Sequence, residues 1–189
     1  MNIYDGLNQE QEEGVRQTEG PLLILAGAGS GKTRVLTVRT ANLVDRCGVN
    51  PWNILAITFT NKAAKEMRER ILNTVQSEAS SIWVATFHAT CVRILRRFAD
   101  RIGYDSRFSI YDSDDARAVM KQIVKERQLE TRFLKLRQFC SAVSNAKNCL
   151  ISCDDYAQMI STNPDHPKLA DAYRTYQEIL KRDNAMDFD

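Results

Sequence analysis

Pro21-Leu22-Leu23-Ile24-Leu25-Ala26 runs without a break into Gly27-Ala28-Gly29-Ser30-Gly31-Lys32-Thr33. A short, continuous apolar run of this kind predicts a strand buried on both faces, as in a parallel sheet. The small residues after it predict a turn whose backbone N–H groups can curl around anionic oxygens. Ala28, Gly29, Ser30 and Gly31 supply those groups, and Lys32 can reach the outer phosphates of a nucleoside triphosphate. Thr33 adds a hydroxyl for Mg²⁺, and the helix expected to open there turns its positive end to the same place. The strict pattern asks for Gly where Ala26 stands, a tolerable change because the phosphates meet the later N–H groups. The plainer reading is a glycine turn that merely joins strand to helix. The strand–turn–helix context favours a nucleoside triphosphate with Mg²⁺.

Working outward, the first half alternates strand and helix. A helical stretch over about 33–46 is followed by Gly48 and Pro51. Ile54-Leu55-Ala56-Ile57-Thr58-Phe59 predicts a second buried strand, and an Ala-, Lys-, Glu- and Arg-rich helix follows over about 61–75. Ile82-Trp83-Val84-Ala85 predicts a third strand, with a helix after it over about 87–101. This order implies an α/β fold, a parallel sheet flanked by helices. The grammar changes after Gly103. Beyond a brief extended piece, Phe108-Ser109-Ile110-Tyr111, only helices are expected. Asp112 and its neighbours offer an N-cap, and Ala116, Val119, Met120, Ile123 and Val124 form one apolar stripe. A basic helical stretch around 133–148 and a short helix around 154–160 come next. Leu169, Ala172, Tyr173, Tyr176, Ile179 and Leu180 form the stripe of a last helix. The boundary falls near 103–112, with residues 1–107 as the α/β part and 108–189 as a small all-helical part.

Composition excludes little. The chain has 189 residues and a net charge of +2, with no apolar run long enough to span a bilayer and no basic, apolar start of a secretory signal. Residues 58–101 hold 8 basic against 4 acidic groups, a modest basic excess. The 5 cysteines form no C-x-x-C pair and have only His88 and His166 to help them. That argues against a zinc site and for a reducing, cytoplasmic setting.

A phosphate loop alone does not choose among kinases, GTPases, transporters and other motors. Three further segments narrow the choice. Leu7-Asn8-Gln9-Glu10-Gln11 lies just ahead of the loop, and the Gln11 amide can pair with both the donor and acceptor edges of adenine. A surface glutamine is the bland alternative. Ile57-Thr58-Phe59-Thr60-Asn61-Lys62-Ala63-Ala64-Lys65-Glu66-Met67-Arg68 begins at a strand's C-terminal end, where open α/β sheets bind ligands. Phe59, Thr60 and Asn61 suit stacking on a base and holding phosphate, although an aromatic at a strand end can simply pack. Thr86-Phe87-His88 repeats the arrangement, with a polar strand end as the alternative for His88. The Arg93/Arg96/Arg97/Arg101 row reads as a solvated helix face.

Together, Gln11, the Ala26–Arg34 loop, the Thr58–Ile71 stretch and Thr86-Phe87-His88 resemble the early motifs of superfamily 1A DNA helicases of the UvrD/PcrA/Rep type. The resemblance covers the whole chain. It implies a P-loop, RecA-like motor subdomain 1A interrupted by the helical subdomain 1B, with Met186-Asp187-Phe188-Asp189 similar to the point of re-entry. By position it implies Gln11 on adenine, Lys32 and Thr33 as the catalytic phosphate and magnesium residues, and Arg34 near base or ribose. Phe59, Thr60 and Asn61 would touch single-stranded DNA, and Thr86 with His88 would hold its backbone. The implied activity is ATP-dependent 3′→5′ DNA unwinding in repair or replication, on single-stranded or partly duplex DNA. Rival readings are the motor of a helicase–nuclease subunit, a stand-alone nucleotide- or DNA-binding module and a P-loop small-molecule kinase.

One part is expected elsewhere. Such a motor needs an acidic pair at a strand end to hold Mg²⁺ and activate water. The nearest match, Ile110-Tyr111-Asp112, lacks a second adjoining acid, and Asp112 reads as a helix cap. The acidic pair and the second motor domain with its arginine fingers are therefore expected beyond this chain, which by itself is expected not to turn over ATP.

Overall fold

The structure, a computed structural model, describes residues 3–75, 79–131 and 134–189. Phe133, at the head of the basic helical stretch expected from the sequence, lies outside the described residues. The chain is mixed α/β and divides into two compact units, Met1–Val92 and Arg93–Asp189. The element grammar changes near residue 108, whereas the packing changes earlier, inside a helix.

The first unit opens with α1 (Gln9–Arg16), which the hydrophobic pattern alone does not announce. After the glycine-rich turn comes α2 (Lys32–Ala41), extended by a wider π turn over Asn42–Arg46. Then follow β1 (Leu55–Thr58), α3 (Asn61–Thr74), β2 (Trp83–Thr86) and the start of α4 (Phe87–Phe98). Strands β1 and β2 pair in parallel, Ala56 opposite Val84 and Thr58 opposite Thr86, with α3 as their crossover. Met67 and Ile71 on α3 pack with Ala56 and Val84 in the main core of this unit. On α3, Arg68 donates to the Val84 carbonyl at 2.5 Å. A smaller core joins Tyr4 and Val15 to Val35 and Val38 on α2.

The expected strand over 21–26 is not formed. Residues 22–25 make no ladder, and Leu23 and Leu25 are 81% and 86% exposed. A strand needs partners for its N–H and C=O groups, and a doubly buried one needs cover on both faces. The described residues of this unit supply neither to this run. The same shortage leaves Leu55 and Ile57 of β1 exposed on the face opposite α3, so that strand is buried on one side only.

The second unit holds the rest of α4, β3 (Ser109–Ile110), α5 (Ser113–Glu126), α6 (Leu136–Asn148), α7 (Cys153–Gln158), α8 (His166–Arg182) and β4 (Ala185–Met186). Met120, Ile123 and Val124 of α5, Phe139 and Val143 of α6, and Leu169, Tyr173, Tyr176 and Leu180 of α8 form one core, as their stripes predict. Asp112 caps α5, accepting from the Asp114 and Asp115 N–H groups. The unit is not all-helical. β3 and β4 pair in parallel, Ser109 donating to the Asn184 carbonyl at 2.9 Å and Tyr111 to Met186 at 2.8 Å. Two-residue strands carry too few residues to show an alternating pattern in the sequence.

A buried polar knot secures the end of this unit. The Lys147 ammonium on α6 meets both Asp187 carboxylate oxygens at 2.7 and 2.5 Å, and the Tyr176 hydroxyl on α8 donates to the same carboxylate at 2.8 Å. Lys147 and Asp187 side chains are only 11% and 10% exposed. Burial first, and then the Asp187 charge, push the Tyr176 phenol far above its ordinary range. All 5 cysteines are free thiols.

Candidate nucleotide and nucleic-acid site

The glycine-rich turn is exposed and bonds to itself. Gly31, at φ +82°, is the N-cap of α2, a left-handed conformation that favours glycine. Lys32 follows as the first helical residue, and its ammonium donates to the Ala26 and Gly27 carbonyls at 2.9 and 2.5 Å. The Ser30 hydroxyl also donates to Gly27, at 2.7 Å. Lys32 thus folds back over its own turn, with acceptors that a triphosphate could replace. Gly29 is also left-handed, at φ +77°, and the Thr33 side chain is exposed in the first turn of α2.

Gln11 stands against this turn. Its Nε2 donates to the Ser30 carbonyl at 2.9 Å. A Cβ at position 31 would lie 2.9 Å from that nitrogen, so a side chain larger than glycine's hydrogen would push Gln11 away. Arg34 reaches back over the N-terminal segment and donates to the Asp5 carbonyl at 3.0 Å. Helix α1 keeps its place by bonds from α2: Arg39 donates to the carbonyls of Gly14, at 2.7 Å, and Gln17. Tyr4, with Arg16 and Arg46 over its ring at 4.1 and 5.0 Å, donates to Asn42 at 2.8 Å. The structure therefore brings Gln11, Ser30, Gly31, Lys32 and Arg34 into one cluster, although the strand expected ahead of the turn is unformed.

A second cluster lies at the C-terminal ends of β1 and β2. Phe59 is 95% exposed. The Thr60 hydroxyl caps α3, accepting from Ala63 N–H at 3.1 Å, and Asn61 is exposed in the next position. Thr86 is buried, its hydroxyl accepting from Ala89 N–H at 3.2 Å at the head of α4. His88 is exposed, edge-on to Phe87 with ring centroids 6.0 Å apart. Phe87 itself is 56% exposed. No role for Phe87 is expected from the sequence, although it stands just past a strand end as Phe59 does. Neither strand end carries a carboxylate. Among the described residues no group of three His, Cys, Asp or Glu side chains could hold a metal ion, and no helix is long and apolar enough to cross a membrane. In the arginine row, Arg96 sits over the Phe108 ring at 5.9 Å, and Arg97 and Arg101 over Phe98 at 5.7 and 5.0 Å.

The family model for the UvrD/REP helicase N-terminal domain matches residues 7–189, a span that takes in both clusters. The chain belongs to this family. Similar proteins include the ATP-dependent DNA helicase PcrA of Staphylococcus epidermidis, 52% identical over 99% of this chain, and that of Staphylococcus aureus, 51% identical over 99%. The chain spans about a quarter (26%) of the length of these relatives.

Proposed function

We propose that this chain is the ATP-binding front portion of a 3′→5′ DNA helicase motor, with a RecA-like motor part over residues 1–107 and a helical subdomain over 108–189. The observation that supports the reading is the 2.9 Å bond from Gln11 Nε2 to the Ser30 carbonyl, which holds the Gln11 amide against the glycine-rich turn. ATP would place its β- and γ-phosphates against the N–H groups of Ala28–Lys32, with Lys32 turned from Ala26 and Gly27 to the phosphates. Mg²⁺ would be held by the Thr33 hydroxyl and the triphosphate's own oxygens, where it neutralises charge on the phosphoryl oxygens. Gln11 would read adenine, and Arg34 would lie near base or ribose. Single-stranded DNA would stack on Phe59 and run past Thr60, Asn61 and His88, while Thr86, expected to hold the backbone, is buried and instead caps the head of α4. A second motor domain would complete the cleft in the longer protein.

Titration with a fluorescent ATP analogue and Mg²⁺ tests the nucleotide part. Saturable binding weakened at least about tenfold in Lys32→Ala is expected; equal binding by both proteins would sink it. In the full-length protein, unwinding of 3′-tailed but not 5′-tailed duplexes tests the direction.

A further inference from the structure

We propose that the Asn8 backbone N–H sets base specificity at this site by fixing which way the Gln11 amide faces, an inference that rests on Gln11 lying at the base of the bound nucleotide. Two hydrogen bonds run in opposite senses between the residues. The Asn8 side-chain oxygen accepts from the Gln11 backbone N–H at 2.8 Å, and the Asn8 backbone N–H donates to Gln11 Oε1 at 3.0 Å. The pair is a capping box at the head of α1. A backbone N–H can only donate, so it must meet Oε1, and the opposite face of the Gln11 amide must be its NH₂. That is the face at 2.9 Å from the Ser30 carbonyl, in the space that Gly31 leaves open.

The consequence for a base follows from donors and acceptors. Adenine offers an N6 amino donor beside the N7 acceptor, whereas guanine offers O6 and N7, both acceptors. An amide with Oε1 held on one side and NH₂ on the other matches adenine. Against guanine, one acceptor must face Oε1. A mobile Gln11 could turn its NH₂ alone to guanine and escape that repulsion. Asn8 denies it the freedom, and it also spares ATP binding part of the cost of ordering a long side chain. Asn8 is thus a positioning residue that acts through Gln11 and touches no phosphate.

The test compares ATP, GTP and inorganic tripolyphosphate on the 189-residue chain, with NMR titration following the Gln11 side-chain amide. For the starting chain, ATP is expected to shift that amide signal and tripolyphosphate to leave it in place. Asn8→Pro, which fits the φ of -81° at this position but removes the backbone N–H that meets Gln11 Oε1, is expected to lower the ATP:GTP affinity ratio about three- to tenfold, one hydrogen bond's worth, with tripolyphosphate affinity unchanged. Asn8→Ala, which loses the capping oxygen but keeps that N–H, is expected to keep the ratio. Gln11→Glu, which keeps the acceptor but loses the NH₂, is expected to lose the preference for ATP. An unchanged ratio in Asn8→Pro would overturn the proposal, as would an equal loss for all three ligands, the mark of a merely structural role. If tripolyphosphate fails to bind, or binds Lys32→Ala equally well, the nucleotide reading itself falls and takes this proposal with it.

Discussion

Thr58 and Thr86 face each other on the last rung of the β1–β2 ladder. The next residues on the two strands are Phe59 and Phe87, so two exposed rings leave the same sheet edge from neighbouring strands, which lie about 4.8 Å apart. A stacking platform needs aromatic rings with open faces, and a core does not leave a phenyl ring 95% exposed.

Phe59→Ala is therefore expected to weaken binding of a single-stranded oligonucleotide by roughly 1–3 kcal/mol. Stability should move by no more than about 0.5 kcal/mol, as for other surface changes. Phe87→Ala, from a less exposed ring, is expected to do the same to a smaller degree. Fluorescence anisotropy and thermal melting on the same samples separate the two effects. A large loss of melting temperature with unchanged DNA affinity would return Phe59 to a packing role.

The 189-residue chain should hydrolyse ATP no faster than its Lys32→Ala variant, with or without single-stranded DNA. The strand ends at Phe59 and Phe87 offer aromatic, hydroxyl, amide and imidazole groups but no carboxylate to hold Mg²⁺ or orient water. Phosphoryl transfer depends almost wholly on such positioning and charge. A phosphate-release assay decides it. Strong DNA-stimulated turnover abolished by Lys32→Ala would mean that a carboxylate elsewhere in the chain serves, and Asp112 would be the first to replace.

Lys147→Met is expected to destabilise the second unit by about 3–5 kcal/mol, because it leaves the Asp187 carboxylate buried without its cation. Replacing both, as Lys147→Met with Asp187→Leu, should cost less than the single change. Urea unfolding of the two variants checks the order. A single variant as stable as the starting chain would show that water reaches Asp187.

Alkaline pH should loosen the same unit. The Tyr176 phenol is raised in the folded state, chiefly by burial and then by the Asp187 charge. Its contribution is therefore present in full below the unfolded tyrosine value of about 10 and falls away as pH rises above it. Tyr176→Phe should flatten part of that decline. Tyr104, Tyr156 and Tyr173, also raised by burial, keep the remainder. Urea midpoints between pH 8 and 11 supply the comparison, and an unchanged slope would remove Tyr176 from the account.

Local chemistry explains which parts of the molecule could be read in advance. Met120, Ile123 and Val124, or Tyr173, Tyr176 and Leu180, share a helix face whatever surrounds them, and a core forms along it. Asp112 carries its cap in its own side chain. The run at 22–25 failed as a strand for the opposite reason: apolarity prescribes burial, but the pairing partners must come from elsewhere in the fold. In the candidate site, Gln11, Lys32 and Phe59 were named from residue type and spacing. The Asn8 capping box is local too, an Asn three residues before a Gln. The burial of Thr86 was not legible, since it depends on packing that the local sequence does not encode.

The pairing of Ser109–Ile110 with Ala185–Met186 carries a consequence for how this chain could vary. Parallel strands cannot be joined by a tight turn and need a connection of a dozen or more residues, most often one helix. Among the described residues, helices α5 to α8, from Ser113 to Arg182, stand where that one helix would suffice. Everything between Tyr111 and Asn184 is, in topology, a single overgrown link whose two ends are held side by side. Such a link can lengthen, shorten or exchange its helices while the strands at its base keep their register, provided the cap at Asp112 and the knot at Asp187 survive.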